Sequence, residues 1–488
     1  MKQPKVLSFF FLTEMCERFA FYMLEGLMIL YMVHTLHFSD AKSYAIMGEF
    51  SALVYIMPAL GGWLADYVLG FRIAIILGSV LLAGGYATLA FGPHALLPGL
   101  ILLALGHGFF KPNILGFLGE FYGENDPRRE AGFTFFYMGV SAGFFLSVLS
   151  VGLIQQYFGG SAPFIASSLS VLIGLLIFFY GKRYFNHTVG PYPHRNTRLS
   201  IFITRPFILP FIAVLGLLLW SLMRYRGFVH HMLEIFSVAA LVYMGFLDLI
   251  FRLDPKERNR LIALVCLMIF SVLFWALFFE LYFSVSLYTD RMIDHTLFGW
   301  TVSSSTLLAF QPLFVLLLAP FFAKLLRGLA REPNPWFSLP MKFAYGLLMI
   351  ALAMQLLVFS LKFQHGNELI SPFWLISFYF LLAVGELFLS PIGFSMVTEC
   401  APKRHVGFLM GVWFLSLSLG AELASLLAKS VSIPKHMLDL HRIAQTYAHA
   451  FQYHALLGLG GFIALLCLAP LLQKLILGIP RISITEKY

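Results

Sequence analysis

The chain has 488 residues, 59% of them hydrophobic and only 12% charged, with a mean hydropathy of +0.83. A water-facing surface needs roughly a quarter of its residues charged, so this composition excludes a soluble globular protein and turns the apolar residues toward lipid. The formal charge of +9 does not point to nucleic acid, because Lys and Arg sit in short loops between apolar runs and form no basic stripe.

The chain opens with Met1-Lys2-Gln3-Pro4-Lys5 and an apolar run that Glu14, Glu17 and Arg18 interrupt. No small-residue cleavage site follows, so the run reads as a spanning helix and not as a cleavable signal peptide. Length and hydropathy predict about fourteen spanning segments, at 7–33, 44–70, 72–91, 96–121, 131–157, 162–184, 206–222, 228–250, 260–288, 298–326, 341–361, 372–398, 405–428 and 451–476. With both termini in the cytoplasm, about 23 of the 33 Lys and Arg residues fall inside and about 8 outside. The expectation is therefore a multi-pass protein of the cell (inner) membrane with cytoplasmic termini.

A polar stretch at 185–205 separates six helices from the rest, and Asp254-Pro255-Lys256-Glu257-Arg258 forms a second linker. The predicted domains are a six-helix bundle (1–185), a cytoplasmic linker with a two-helix insert (186–257) and a second six-helix bundle (258–488). Two six-helix halves around a central site is a transporter plan. Cys16, Cys266, Cys400 and Cys467 are dispersed, without metal-ligand spacing or a disulfide framework, and read as small buried hydrophobes.

Ionisable residues inside apolar helices are costly and mark functional sites. The first helix carries Glu14, Glu17, Arg18 and Glu25; positions 14, 18, 22 and 25 share one face, which makes a polar stripe with Tyr22. A structural ion pair would account for Arg18 and one glutamate but leaves two carboxylates, so a cavity-lining stripe is expected. Lys111 lies about ten residues from the nearest loop, too deep to snorkel comfortably, and needs a partner among these carboxylates. Glu280 and Glu386 are single carboxylates in long apolar runs and are read as cavity residues; Glu422 and Asp248 lie nearer helix ends, where solvation suffices. Buried carboxylates beside a cation that can change partners form a proton-coupling device. No metal triad, nucleophile elbow or Walker-type loop stands out, so neither an enzyme nor a cofactor is expected.

Several motifs carry a family resemblance. They are Glu14-Met15-Cys16-Glu17-Arg18-Phe19-Ala20-Phe21-Tyr22, Gly61-Gly62-Trp63-Leu64-Ala65-Asp66 ahead of Gly70 and Arg72, and Phe109-Phe110-Lys111-Pro112-Asn113. Gly132-Phe133-Thr134-Phe135-Phe136-Tyr137-Met138-Gly139 and Gly385-Glu386-Leu387-Phe388-Leu389-Ser390-Pro391 follow in order. Together they resemble the proton-dependent oligopeptide transporter family of the major facilitator superfamily, over nearly the whole chain. The resemblance implies an all-α integral membrane protein with the major facilitator fold, two six-helix bundles plus a two-helix insert. It implies a proton-coupled symporter that imports di- or tripeptides or peptide-like substrates by alternating access, with protons as the coupling ion and the lipid bilayer as its setting.

By resemblance, Glu14, Glu17, Arg18, Lys111 and Glu280 serve proton coupling. Tyr22, Glu25, Tyr55, Lys111, Tyr137, Ser141, Trp275, Gln311, Glu386 and Ser390 correspond to substrate-cavity positions, and Gly61, Asp66 and Arg72 to a structural motif. Glu386, with Ser390 near it, is expected to meet a substrate amino group. The chain departs from the family pattern where an arginine is usual at Glu25, an asparagine at Ser141, Tyr-Tyr at Phe21-Tyr22, Asn-Pro at Gln311-Pro312 and Glu-Gln at Phe279-Glu280. Glu14, Glu17, Glu25, Glu280 and Glu386 outnumber Arg18 and Lys111 five to two. That excess opens a second reading, the same scaffold carrying an amine-bearing metabolite. A membrane receptor that binds without transport is a third, disfavoured because binding alone needs no proton relay.

Overall fold

The computed structural model describes residues 3–122, 128–185, 205–224, 231, 235, 253–329, 335–364, 368–400, 406–435, 437 and 439–477. It is nearly all helical. In chain order the helices are α1 (Val6–Leu30), α2 (Asp40–Leu64), α3 (Phe71–Leu89), α4 (Leu96–Gly119), α5 (Arg129–Phe158), α6 (Ala162–Gly181) and α7 (Arg205–Arg224). There follow α8 (Pro255–Phe279), α9 (Ser284–Met292), α10 (Phe310–Leu329), α11 (Leu339–Ser360), α12 (Pro372–Cys400), α13 (Val406–Lys429) and α14 (Leu440–Leu477). Among the described residues eleven helical segments are long and apolar enough to cross a membrane, so the chain is a multi-pass membrane protein. α1 has the length but carries four ionisable residues. The expected segment 228–250 and most of the 185–205 linker lie outside the described residues.

Local chemistry sets the helix ends. Ser39 caps α2 by accepting from the Lys42 amide, with Asp40 in the first turn, where the helix dipole favours a negative charge. Gly70, at φ +76°, supplies the left-handed residue that ends α2 and its final wide turn. Pro255 opens α8, where its missing N–H costs nothing.

Two expected spans differ in detail. The run 260–288 is interrupted: α8 stops at Phe279, and α9 starts at Ser284 after a tight turn over Glu280–Phe283. The run 298–326 begins with a small hairpin, Thr296–Leu297 paired with Trp300–Thr301, whose Phe298-Gly299 turn has positive φ at both residues. Hydropathy averages over such breaks and cannot register them.

Packing is densest within each half. α1 lies on α5 and α6, α3 on α4 and α6, and α2 on α4; α11 lies on α12 and α14, and α8 on α13 and α14. α2 meets α13 and α5 meets α10 across the halves. Exposed apolar side chains such as Leu153, Leu176, Phe179, Leu217 and Leu456 cover the outer faces, as a lipid-facing surface requires.

Glycine permits the closest approaches. A Cβ on Gly143 of α5 would stand 2.5 Å from the Met15 carbonyl and 2.9 Å from Cβ of Arg18, so α5 can lie against the polar face of α1 only with glycine there. Gly61 of α2 likewise abuts the Gly108 backbone of α4.

Polar contacts close one end of the bundle. Arg291 of α9 pairs with Asp40 of α2, His34 beyond α1 pairs with Asp290 at 2.7 Å, and Lys435 Nζ donates to the His37 carbonyl.

Candidate functional site

Between the halves lies a cavity of about 560 Å³, within the usual range for small-molecule sites. α1 contributes Glu14, Arg18, Phe21, Tyr22 and Glu25 to its wall, the stripe that 3.6-residue spacing sets on one face. α5 answers with Phe133, Phe136, Tyr137, Val140, Ser141 and Phe144, again a single helical face. Tyr55 comes from α2, Lys111 from α4, Trp275 and Phe278 from α8, Gln311 from α10 and Glu386 from α12. The lining reaches Leu115 and Phe133, near the connection between α4 and α5, so it extends away from the end closed by Arg291 and Asp40.

The charges are arranged unequally. Arg18 is held by its neighbour Glu17 through two contacts, Nε to Oε2 at 2.5 Å and Nη2 to Oε1 at 2.7 Å. Its Nε is also 3.4 Å from Oε1 of Glu14, whose Oε2 has no hydrogen-bond partner. Glu17 does not reach the cavity; it sits behind Arg18, 1% exposed. Lys111 Nζ stands 5.2 Å from the Tyr55 ring centroid, and among the described residues no carboxylate lies within ion-pair distance of it. Among the described residues the expected pairing of Lys111 with the α1 carboxylates is absent in this conformation, in which Arg18 engages Glu17 and Glu14. Across the cavity, Gln311 Nε2 donates to Glu386 Oε2 at 2.6 Å. Tyr22 stacks on Phe144 at 3.8 Å between ring centroids, which fixes its place on the wall.

Besides Glu17, Glu280 is an expected site residue that lies elsewhere. Glu280 is wholly buried in the turn between α8 and α9, behind the cavity wall. One of its oxygens accepts from the Ser284 hydroxyl and amide, and the other has no partner. The helix break aims it along the chain to Ser284 instead of into the cavity. Ser390 lies one turn beyond Glu386 on α12, its side chain outside the described set. The wall therefore carries three carboxylates, Glu14, Glu25 and Glu386, against two cations. Of the motif residues, Asp66 is exposed after α2, and Arg72 donates from Nη2 to the Phe185 carbonyl at 2.5 Å.

Sequence reasoning missed His107. It precedes Lys111 by one turn on α4, is wholly buried, and places Nδ1 3.0 Å from Oε1 of Glu17. The available signal was a lone imidazole between two glycines in an apolar run, on the same helix face as the intramembrane Lys111.

The comparisons with known proteins agree. The family model described as POT family matches residues 72–445. The chain is 31% identical to a dipeptide and tripeptide permease A of Edwardsiella piscicida, over 98% of this chain and 96% of the relative. It is 31% identical to the protein of the same name from Serratia proteamaculans, over 92% of this chain and 88% of the relative. A crystal structure of a peptide transporter POT in complex with sulfate superposes with a TM-score of 0.85 at 28% identity, covering 97% of this chain and 96% of that one. A mutant of a peptide transporter POT in complex with alafosfalin superposes with a TM-score of 0.84, also at 28% identity and with the same coverage.

Proposed function

The chain belongs to the POT family, and from that premise we propose that it is a proton-coupled symporter that imports short peptides or peptide-like substrates by alternating access. Relatives named dipeptide and tripeptide permeases support the cargo class. The observation that carries the reading is the ammonium of Lys111, which meets no carboxylate among the described residues, in the same cavity as Glu386. A cation and a carboxylate lining one site suit a zwitterion, whose carboxylate meets Lys111 and whose amino group meets Glu386. Tyr22, Tyr55, Tyr137 and Trp275 supply the apolar walls between these poles, with Ser141 as an added hydroxyl.

Coupling falls to the α1 network. Arg18 has two acceptors, Glu17 now and Glu14 as the alternative, so an exchange of partners frees one carboxylate to take a proton. With the termini in the cytoplasm, as the loop charges favour, the end closed by Asp40 and Arg291 faces outward and the cavity is accessible from inside. The protein then works in the cell membrane as a carrier without enzymatic chemistry or a bound cofactor.

A specific observation supports a narrower cargo. Glu25 adds a third carboxylate to the wall, and Arg18 is already committed to Glu17. The cavity then favours cargo with an added amine, or one that lacks a free carboxylate. The test is peptide uptake into proteoliposomes under an inward proton gradient, with alanyl-alanine, alanyl-lysine and their C-terminal amides as the panel and Lys111→Ala as the control. Uptake that requires both the gradient and Lys111 supports the reading; no gradient-dependent uptake of any panel member by folded protein refutes it.

A further inference from the structure

His107 contributes nothing to the cavity wall, yet it holds the most enclosed position in the α1 network. Its Nδ1 stands 3.0 Å from Oε1 of Glu17, the oxygen that already accepts from Nη2 of Arg18, but neither ring nitrogen has an aligned hydrogen-bond partner, and the ring meets Phe21 edge-on at 4.8 Å. A core position that needed only volume would be better filled by an apolar side chain, because a buried ring nitrogen without a partner carries a desolvation cost. An imidazole here places a second group able to carry positive charge against Glu17.

The ionisable groups that bear on His107 are few. Glu17 and Arg18 face it from α1, and Lys111 lies on its own helix. Tyr86 of α3, buried and without a hydroxyl partner, lies near Glu17 and Arg18. Tyr55 of α2 has its ring centroid 5.2 Å from Lys111 Nζ, and α7 meets α4 on another face, where Gly216 approaches Leu105. Of these, only His107 reaches Glu17 from a helix other than α1 with a side chain that can gain or lose a proton at ordinary pH.

When Arg18 is bound to both Glu17 oxygens, a neutral His107 suffices. When Arg18 moves wholly to Glu14, Glu17 is left as a buried charge without its cation, which is strongly unfavourable. A proton between Glu17 Oε1 and His107 Nδ1 removes that penalty. We propose that His107 is a positioning and proton-holding residue, and that its pair with Glu17 stores the coupling proton while Arg18 is bound to Glu14. The proton comes from cavity water by way of Glu14, which lines the cavity, and returns when Arg18 takes Glu17 back; no covalent bond to carbon changes.

The inference rests on the symport reading, and its test separates the two. His107→Gln keeps an N–H donor for Glu17 but cannot hold the proton, and His107→Asn is the second variant. Each is reconstituted and assayed with labelled alanyl-alanine and alanyl-lysine for counterflow without a proton gradient, for gradient-driven accumulation, and for the pH profile of uptake. Counterflow is expected to persist, while driven accumulation falls roughly 5- to 150-fold, the usual size of coupling between two ligands, and the pH profile flattens. Wild-type accumulation and pH profile in either variant that retains counterflow overturn the inference alone. Loss of counterflow in both variants makes His107 a structural residue and also overturns it. Absence of driven uptake by the wild-type protein defeats the parent reading instead.

Discussion

Arg291 grips Asp40 with two contacts, Nη1 to Oδ2 at 2.6 Å and Nη2 to Oδ1 at 2.8 Å, and so ties the end of α9 to the start of α2. Asp40 is 3% exposed and also accepts from the Ile433 amide at 3.0 Å, while Tyr447 of α14 lies 3.5 Å from Nη1. One carboxylate thus gathers three segments at the closed end of the bundle. Asp40→Asn removes its charge and leaves Arg291 unpaired. Losing one partner of a buried pair costs roughly 3–5 kcal/mol, and less here because the Arg291 side chain is 20% exposed. The expected outcome is a shift toward conformations open at this end. Electron-spin distance measurements between labels at Phe91 and Phe298, exposed on opposite halves, should show a longer-distance population absent from wild type. An unchanged distance distribution would deny the pair a gating role.

His34 and Asp290 give the same end a pH dependence. The hydrogen bond that the His34 imidazole donates to the Asp290 carboxylate holds its pKa above the ordinary value. The protonated form is the one that pairs, so the contribution to closure is complete below the ordinary imidazole pKa of about 6.5 and is lost as pH rises through the raised value. The His34 side chain is 56% exposed, so the effect is at most about 1 kcal/mol. The same spin-label pair should report a closed population that declines with rising pH just above the usual histidine range. His34→Gln should abolish that decline; its survival in the variant would assign the response to another group.

The polar stripe of α1 was legible because charges at helical spacing stand out in an apolar run, and eleven of the residues named for the cavity do line it. Glu280 was not placed correctly, because a run from Pro255 to Met292 of high mean hydropathy gives no sign of the turn that carries its carboxylate to Ser284. The pairing of Asp40 with Arg291 spans 251 positions and belongs to tertiary packing, which a single sequence does not express. Lys111 illustrates a further limit. The sequence shows that it needs a partner, but whether a carboxylate comes within ion-pair distance is set by tertiary packing, and here Arg18 engages Glu17 and Glu14.

Gly143 tests the packing that supports the network. An added Cβ meets the Met15 carbonyl at 2.5 Å and Cβ of Arg18 at 2.9 Å, and neither is the free end of a flexible chain. Gly143→Ala must push α5 away from α1, an overpacking cost of about 1–3 kcal/mol. Lower thermal stability in detergent, with weaker gradient-driven uptake, is expected. Wild-type stability would mean that the two helices separate without strain.

Glu25 is expected to bias the preferred cargo. It lines the same cavity as Lys111, the cation to which a substrate carboxylate would bind. A second carboxylate at 4–8 Å in a medium of effective dielectric about 20 is repelled by on the order of 2–4 kcal/mol. A substrate whose carboxylate is replaced by an amide escapes that repulsion, and a lysine side chain turns it into attraction. Glu25→Gln removes the charge and keeps the shape. The ratio of kcat/KM for alanyl-alanine to that for its amide should therefore rise roughly tenfold, a change of about 1.4 kcal/mol, while the preference for alanyl-lysine over alanyl-alanine shrinks. Initial uptake rates across the four-compound panel measure both ratios at once. If both remain at their wild-type values, Glu25 is neutral when cargo binds, and the excess of carboxylates on the wall has no bearing on selectivity.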